Sequence, residues 1–128
     1  MLDHVGLSVA DFDRSKAFYS KALEPLSIVL VAEVAAEVTG TYAYAGFGAN
    51  DKAFFWIGSG GRAGRPVHVA FVARSRPEVD AFHRAALAAG GEDNGPPGLR
   101  PHYHPDYYGA FVFDLDGNNI EAVCHQGE

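Results

Sequence analysis

The chain has 128 residues, 48% of them hydrophobic and 20% charged, enough to bury one sizeable core without disulfides or structural metal. Sixteen acidic against ten basic residues give a formal charge of −6, which argues against a phosphate-binding or nucleic-acid-binding surface. Cys124 stands alone, no basic-then-apolar leader opens the chain, and no apolar run approaches the ~18 residues of a membrane span, so a cytoplasmic protein without a membrane partner is expected.

The first strand is expected over 2–9, with Val5, Leu7 and Val9 on one face and His4, Gly6 and Ser8 on the other. Asp11 or Asp13 caps a following helix in which Phe18, Ala22 and the neighbouring Leu23 recur at helical spacing, and Pro25 stops it. Strands follow over 28–31, 41–47 and 53–57, with Gly46, Gly48, Asn50 and Asp51 supplying the turn between the last two. The Gly-rich stretch 59–66, which carries Arg62 and Arg65, reads as a linker. A strand over 67–73 then leads to a capping box, Ser75 with Glu78, and to a helix lined on one face by Val79, Phe82, Ala86 and Ala89. Gly90-Gly91 closes that helix. Residues 93–105 are rich in Pro, Gly and His, and no regular structure is expected there. The last hairpin joins 108–114 to 118–124 through Asp116-Gly117.

Two of these segments are copies at a constant offset. His4-Val5-Gly6-Leu7 leads to Ala17-Phe18-Tyr19 and Ala22-Leu23, and His68-Val69-Ala70-Phe71 leads to Ala81-Phe82-His83 and Ala86-Leu87. The chain therefore divides into module one (1–58), a linker (59–66) and module two (67–128) within a single domain. The fold class is α+β: two βαβββ modules forming a cupped eight-stranded sheet around a cleft, with the helices outside.

Strand alternation selects the candidate site. His68 shares a face with Ala70 and Val72, and Glu121 shares one with Asn119 and Val123. With the larger apolar residues packed under the helices, His4, His68 and Glu121 point into the cleft. Two imidazoles and a carboxylate on rigid strands suit a divalent metal (Zn, Ni, Mn or Fe) with open positions. A carboxylate buried there needs a partner. The segment Arg100-Pro101-His102-Tyr103-His104-Pro105-Asp106-Tyr107-Tyr108 could rim the site, with Tyr103, Tyr107 or Tyr108 as acid/base groups; the plainer reading is a proline-stiffened loop whose aromatics pack on the surface. His83 is expected to be structural and His125 solvated. Of Phe54, Phe55 and Trp56, alternation sends one or two into the cleft, where an aromatic wall favours a planar or apolar ligand.

The opening Asp3-His4-Val5-Gly6-Leu7, the later Val67-His68-Val69 and above all Asp114-Leu115-Asp116-Gly117-Asn118-Asn119-Ile120-Glu121 resemble the vicinal oxygen chelate superfamily. That group includes glyoxalase I, extradiol dioxygenases, fosfomycin-resistance enzymes and bleomycin-binding proteins. The resemblance implies paired βαβββ modules and, in the enzymes, a metal held at the positions of His4, His68 and Glu121. The strand Ala53-Phe54-Phe55-Trp56-Ile57 lacks the fourth ligand usual in glyoxalase I-like members, so the set is closer to the two-His-one-carboxylate dioxygenases. The implied activity is a metal-dependent lyase, similar to lactoylglutathione lyase, or a dioxygenase acting on a small oxygen-chelating substrate, with Glu121 in the catalytic centre. The alternative is a non-catalytic module that sequesters an aromatic or cationic compound. A homodimer is expected, with the cleft near or across its interface and modules exchanged or not.

Overall fold

In each half of the chain a short strand hands over to a capped helix, and the computed structural model describes this for residues 1–40, 42–61 and 64–127. Thr41, where the third strand was expected to begin, and Arg62 of the linker lie outside the described residues. In module one, β1 (Val5–Ser8) leads to α1 (Phe12–Ala22), whose N-cap Asp11 accepts from the Arg14 amide at 3.2 Å. Ser15, Phe18, Tyr19 and Ala22 bury one face of α1 at helical spacing. Pro25 opens a 3-10 turn over Glu24–Leu26. The module continues with β2 (Val29–Val34), the short α2 (Ala36–Thr39), β3 (Tyr44–Ala49) and β4 (Lys52–Gly58).

Module two repeats the order with β5 (His68–Val72), α3 (Arg76–Ala88), β6 (Glu92–Leu99), β7 (Tyr108–Phe113) and β8 (Asn119–Cys124). Ser75 Oγ accepts from the Glu78 amide at 3.3 Å, and the Glu78 carboxylate reaches back to the Arg74 amide at 2.9 Å. The irregular stretch expected over 93–105 is corrected by β6, a strand that runs through Pro96 and Pro97. It is tolerated because β6 lies at the sheet edge and its register shifts between Asp93 and Gly95 and again between Gly95 and Gly98.

The eight strands form two four-stranded sheets of matching order, β1-β4-β3-β2 and β5-β8-β7-β6. In each, the first strand pairs in parallel with the last, setting Gly6 opposite Trp56 and Ala70 opposite Glu121. One core serves both modules: Phe55 of β4 and Phe71 of β5 meet edge to face at 5.2 Å. The start of β1 shares a cleft of about 480 Å³ with Val72 and Arg74 at the far end of β5, whereas Gly6, Leu7 and Ser8 share another with Arg65 and Val67. The two strands therefore lie side by side in opposite directions.

The acidic hairpin turn fastens the halves together. Buried Asp114 accepts from the Tyr19 hydroxyl, from the amides of Asp116 and Asn118 at 2.9 and 2.8 Å, and from Asn118 Nδ2 at 2.9 Å. Asp116 Oδ1 accepts from the Ala10 amide at 3.0 Å, and Asn118 Oδ1 from the Val67 amide at 3.0 Å. Burial first, and the Asp114 carboxylate second, push the Tyr19 phenol well above its ordinary range. Among the described residues no helix is long and apolar enough to cross a membrane.

Candidate functional site

Alternation along β5 and β8 brings His68 and Glu121 to one face of the second sheet. His68 Nε2 lies 2.8 Å from Glu121 Oε1. The carboxylate is 1% exposed and the imidazole 52%, so a buried acceptor stands behind a half-open ring. The other carboxylate oxygen accepts from the Tyr107 hydroxyl. Glu121 thus has the partners its burial demands. Gly109 makes room for this arrangement: a Cβ there would sit 3.2 Å from both Glu121 Oε2 and the Tyr107 ring. Burial, then the hydrogen bond to Glu121, push the Tyr107 phenol far above its usual range, so it remains a donor.

The other tyrosines go elsewhere. Tyr103 is exposed and packs edge to face on Tyr107 at 5.1 Å, so it sits at the rim. Tyr108 donates to Asp80 of α3 at 2.6 Å and carries the Arg76 guanidinium over its ring, which places it on the helix side. His125 is exposed and also meets Tyr107 edge to face at 5.1 Å. His83 is buried against Asp93 at 2.9 Å, a structural bond that holds the Asp93 carboxyl below its usual range.

His4 does not join His68 and Glu121 within one chain. It is exposed at the start of β1, in the cleft it shares with the end of β5, while His68 opens β5. Its Nδ1 lies 2.7 Å from Asp3 Oδ1, which also receives Lys52 Nζ at 2.9 Å. Lys52 first and His4 second keep the Asp3 carboxyl low. Among the described residues no three metal-ligating side chains converge. A single chain therefore brings together two side chains that could donate to a metal, His68 and Glu121, and keeps His4 apart from them.

Three contributors escaped the sequence reading. Asp3, which orients His4, could have been noticed as a carboxylate adjacent to a candidate ligand. Gly109 inside a strand marks a close approach. The bond from Tyr107 to Glu121 had no local pattern.

The profile of the Glyoxalase/Bleomycin resistance protein/Dioxygenase superfamily matches residues 1–122, and the chain belongs to that superfamily. It is similar to a glyoxalase/bleomycin resistance protein from Albidiferax ferrireducens T118, with 31% identity, a TM-score of 0.74, and coverage of 97% of this chain and 98% of that one. Glyoxalase I from Zea mays shares the fold at 23% identity and a TM-score of 0.72; 96% of this chain is covered, but only 45% of the maize enzyme. A glyoxylase/bleomycin resistance protein/dioxygenase domain from Frankia sp. EAN1pec also shares the fold, at 19% identity and a TM-score of 0.71 over 98% of both chains. No curated protein matches the chain.

Proposed function

We propose that the protein is a metal-dependent enzyme acting on a small substrate with adjacent oxygens, and that its metal centre is completed between two copies of the chain. The pair of His68 Nε2 and Glu121 Oε1 carries this reading: the two atoms lie 2.8 Å apart on one face of neighbouring strands, and the carboxylate's other oxygen is held by Tyr107. His4 is the third donor. Asp3 engages its Nδ1, which fixes the ring as an outer carboxylate fixes a metal-ligating imidazole and assigns Nε2 to the metal. Because His4 and His68 lie at opposite ends of the seam between β1 and β5, a second copy supplies the missing imidazole. The product is a homodimer with the site across its interface.

Zn, Ni, Mn and Fe(II) all accept two imidazoles and a carboxylate. When bound, such an ion polarises the paired oxygens of the substrate as a Lewis acid. The chain's own residues do the rest. Glu121 is oriented by Tyr107, which keeps its proton, and Tyr103 covers the rim. Fe(II) with open positions suits dioxygenation, whereas Zn or Ni suits a glyoxalase-type lyase, so the metal taken up separates the two chemistries. The free, buried thiol of Cys124 suits a reducing cytoplasm.

Metal analysis of protein purified without chelators, combined with light scattering, tests this reading. One divalent ion per chain and a mass about twice 13.7 kDa are expected, with the metal lost in His4→Ala, His68→Ala and Glu121→Ala. A 13.7 kDa species that takes up no divalent ion overturns it.

A further inference from the structure

At the register position where module two carries Glu121, module one carries Trp56. Phe55 and Ile57 are buried in the core, which turns Trp56 to the opposite face of the sheet, the face of His4 and Gly6. The indole lies down on Gly46, where an added Cβ would be 2.8 Å from the ring. Tyr44 lies the same way on Gly58 (2.9 Å to a Cβ) and Tyr42 on Gly60 (2.2 Å). Glycine inside a strand weakens it, so Gly46 of β3 and Gly58 of β4 are explained by the space they leave for rings. Tyr42 and Tyr44 stand perpendicular with centroids 5.0 Å apart, forming a corner. With Trp56 they wall a cavity of about 290 Å³. Among the described residues no charged side chain lines it, and Ser8 and the indole N–H join the two phenols as polar groups.

We propose that this corner of module one is a subsite for a flat aromatic ring, so that the substrate carries an aryl group beside its oxygen donors. The assignment deepens the reading above and rests on it only for the chelating end. Among the described residues an anion would meet no counter-charge, whereas a ring meets both a π face and a ring edge, the two arrangements aromatic pairs favour. The duplicated fold thus places chelation in one module and ring recognition in the other.

Two hydroxamates that chelate identically separate the contributions: benzohydroxamic acid and acetohydroxamic acid, titrated into metal-loaded protein. Trp56 is the only tryptophan and reports occupancy by its fluorescence. The aromatic compound is expected to bind roughly tenfold tighter or more, the ratio that ~1.4 kcal/mol provides. Trp56→Ala, followed by isothermal calorimetry, and Tyr44→Leu should bring the ratio toward one, and Tyr44→Phe should keep it. If Trp56→Ala fails to fold by circular dichroism, Tyr44→Leu against Tyr44→Phe carries the comparison. Equal affinities in the parent protein, or a preference that survives Tyr44→Leu, overturn the subsite. A chain that binds no metal, but whose Trp56 emission responds saturably to benzamide and no longer does so in Tyr44→Leu, sinks the metal centre and supports the subsite. Such a chain would be a sequestering module. Absence of any response to benzamide in that metal-free chain overturns the subsite as well.

Discussion

Module two sets Glu121 opposite Ala70 with Phe111 as its neighbour on β7, and module one sets Trp56 opposite Gly6 with Gly46 as its neighbour on β3. Bulk has been exchanged between adjacent strands: a small acid beside a large ring in one copy, a large ring beside no side chain in the other. Backbone order and register survive because the volume over each sheet is roughly conserved, the condition under which packed sites tolerate substitution. The difference lies in polar bookkeeping. Glu121 is buried and demands His68 and Tyr107, whereas Trp56 demands only open backbone. A scaffold duplicated in sequence can thus divide chelation from ring packing without changing its strands.

The strongest challenge to this comparison is to remove what both modules share. Asp114→Ala deletes the acceptor of Tyr19, two amides and Asn118 Nδ2, and leaves a buried phenol unpaired. A loss of about 3 kcal/mol or more is expected in urea denaturation, as a single transition for both modules. Two separated transitions would show that the modules fold independently. The next test touches module two alone. Tyr107→Phe releases one oxygen of Glu121 and should weaken divalent-metal affinity about 10–100-fold by calorimetry while the fold persists. An unchanged affinity would mean that Tyr107 does not orient the carboxylate.

Alkaline stability sharpens the role of the shared lock. The Tyr19 phenol is raised above its unfolded value of 10.0, chiefly by burial and then by Asp114. Below pH 10 both states hold the proton and stability is flat; above it the unfolded chain ionises first and stability falls. Tyr19 alone should contribute a slope approaching ~1.4 kcal/mol per pH unit, which Tyr19→Phe removes while the contribution of the raised Tyr107 phenol remains. The smallest effect belongs to module two's periphery. The exposed Asp93 carboxyl is lowered by its bond to His83, so its contribution is present above the unfolded value of 3.8 and fades as pH drops through the lower folded value. Asp93→Asn should flatten the acid limb of thermal unfolding slightly.

Both βαβββ modules, and the shared face of His68 and Glu121, were legible because period-two alternation and a repeated motif are local patterns. The companion reading, that His4 meets His68, depends on how the modules pack. That packing is set by Phe55 against Phe71 and Tyr19 on Asp114, contacts between residues far apart in the chain. Strand β6 was hidden because its two prolines and two glycines oppose strand propensity, and only its edge position makes them harmless. Tyr107 was one of three candidate tyrosines on the rim loop; the bond of its hydroxyl to Glu121 singles it out, while Tyr108 faces the helix.

The bond from Tyr19 to Asp114 joins residues 95 positions apart. During synthesis the first helix therefore leaves the ribosome with a phenol whose acceptor has not yet been made. At about 5–20 residues per second, that interval is roughly 5–20 s. Module one spends it with an open core edge, and the hairpin carrying Asp114 is the piece that closes it.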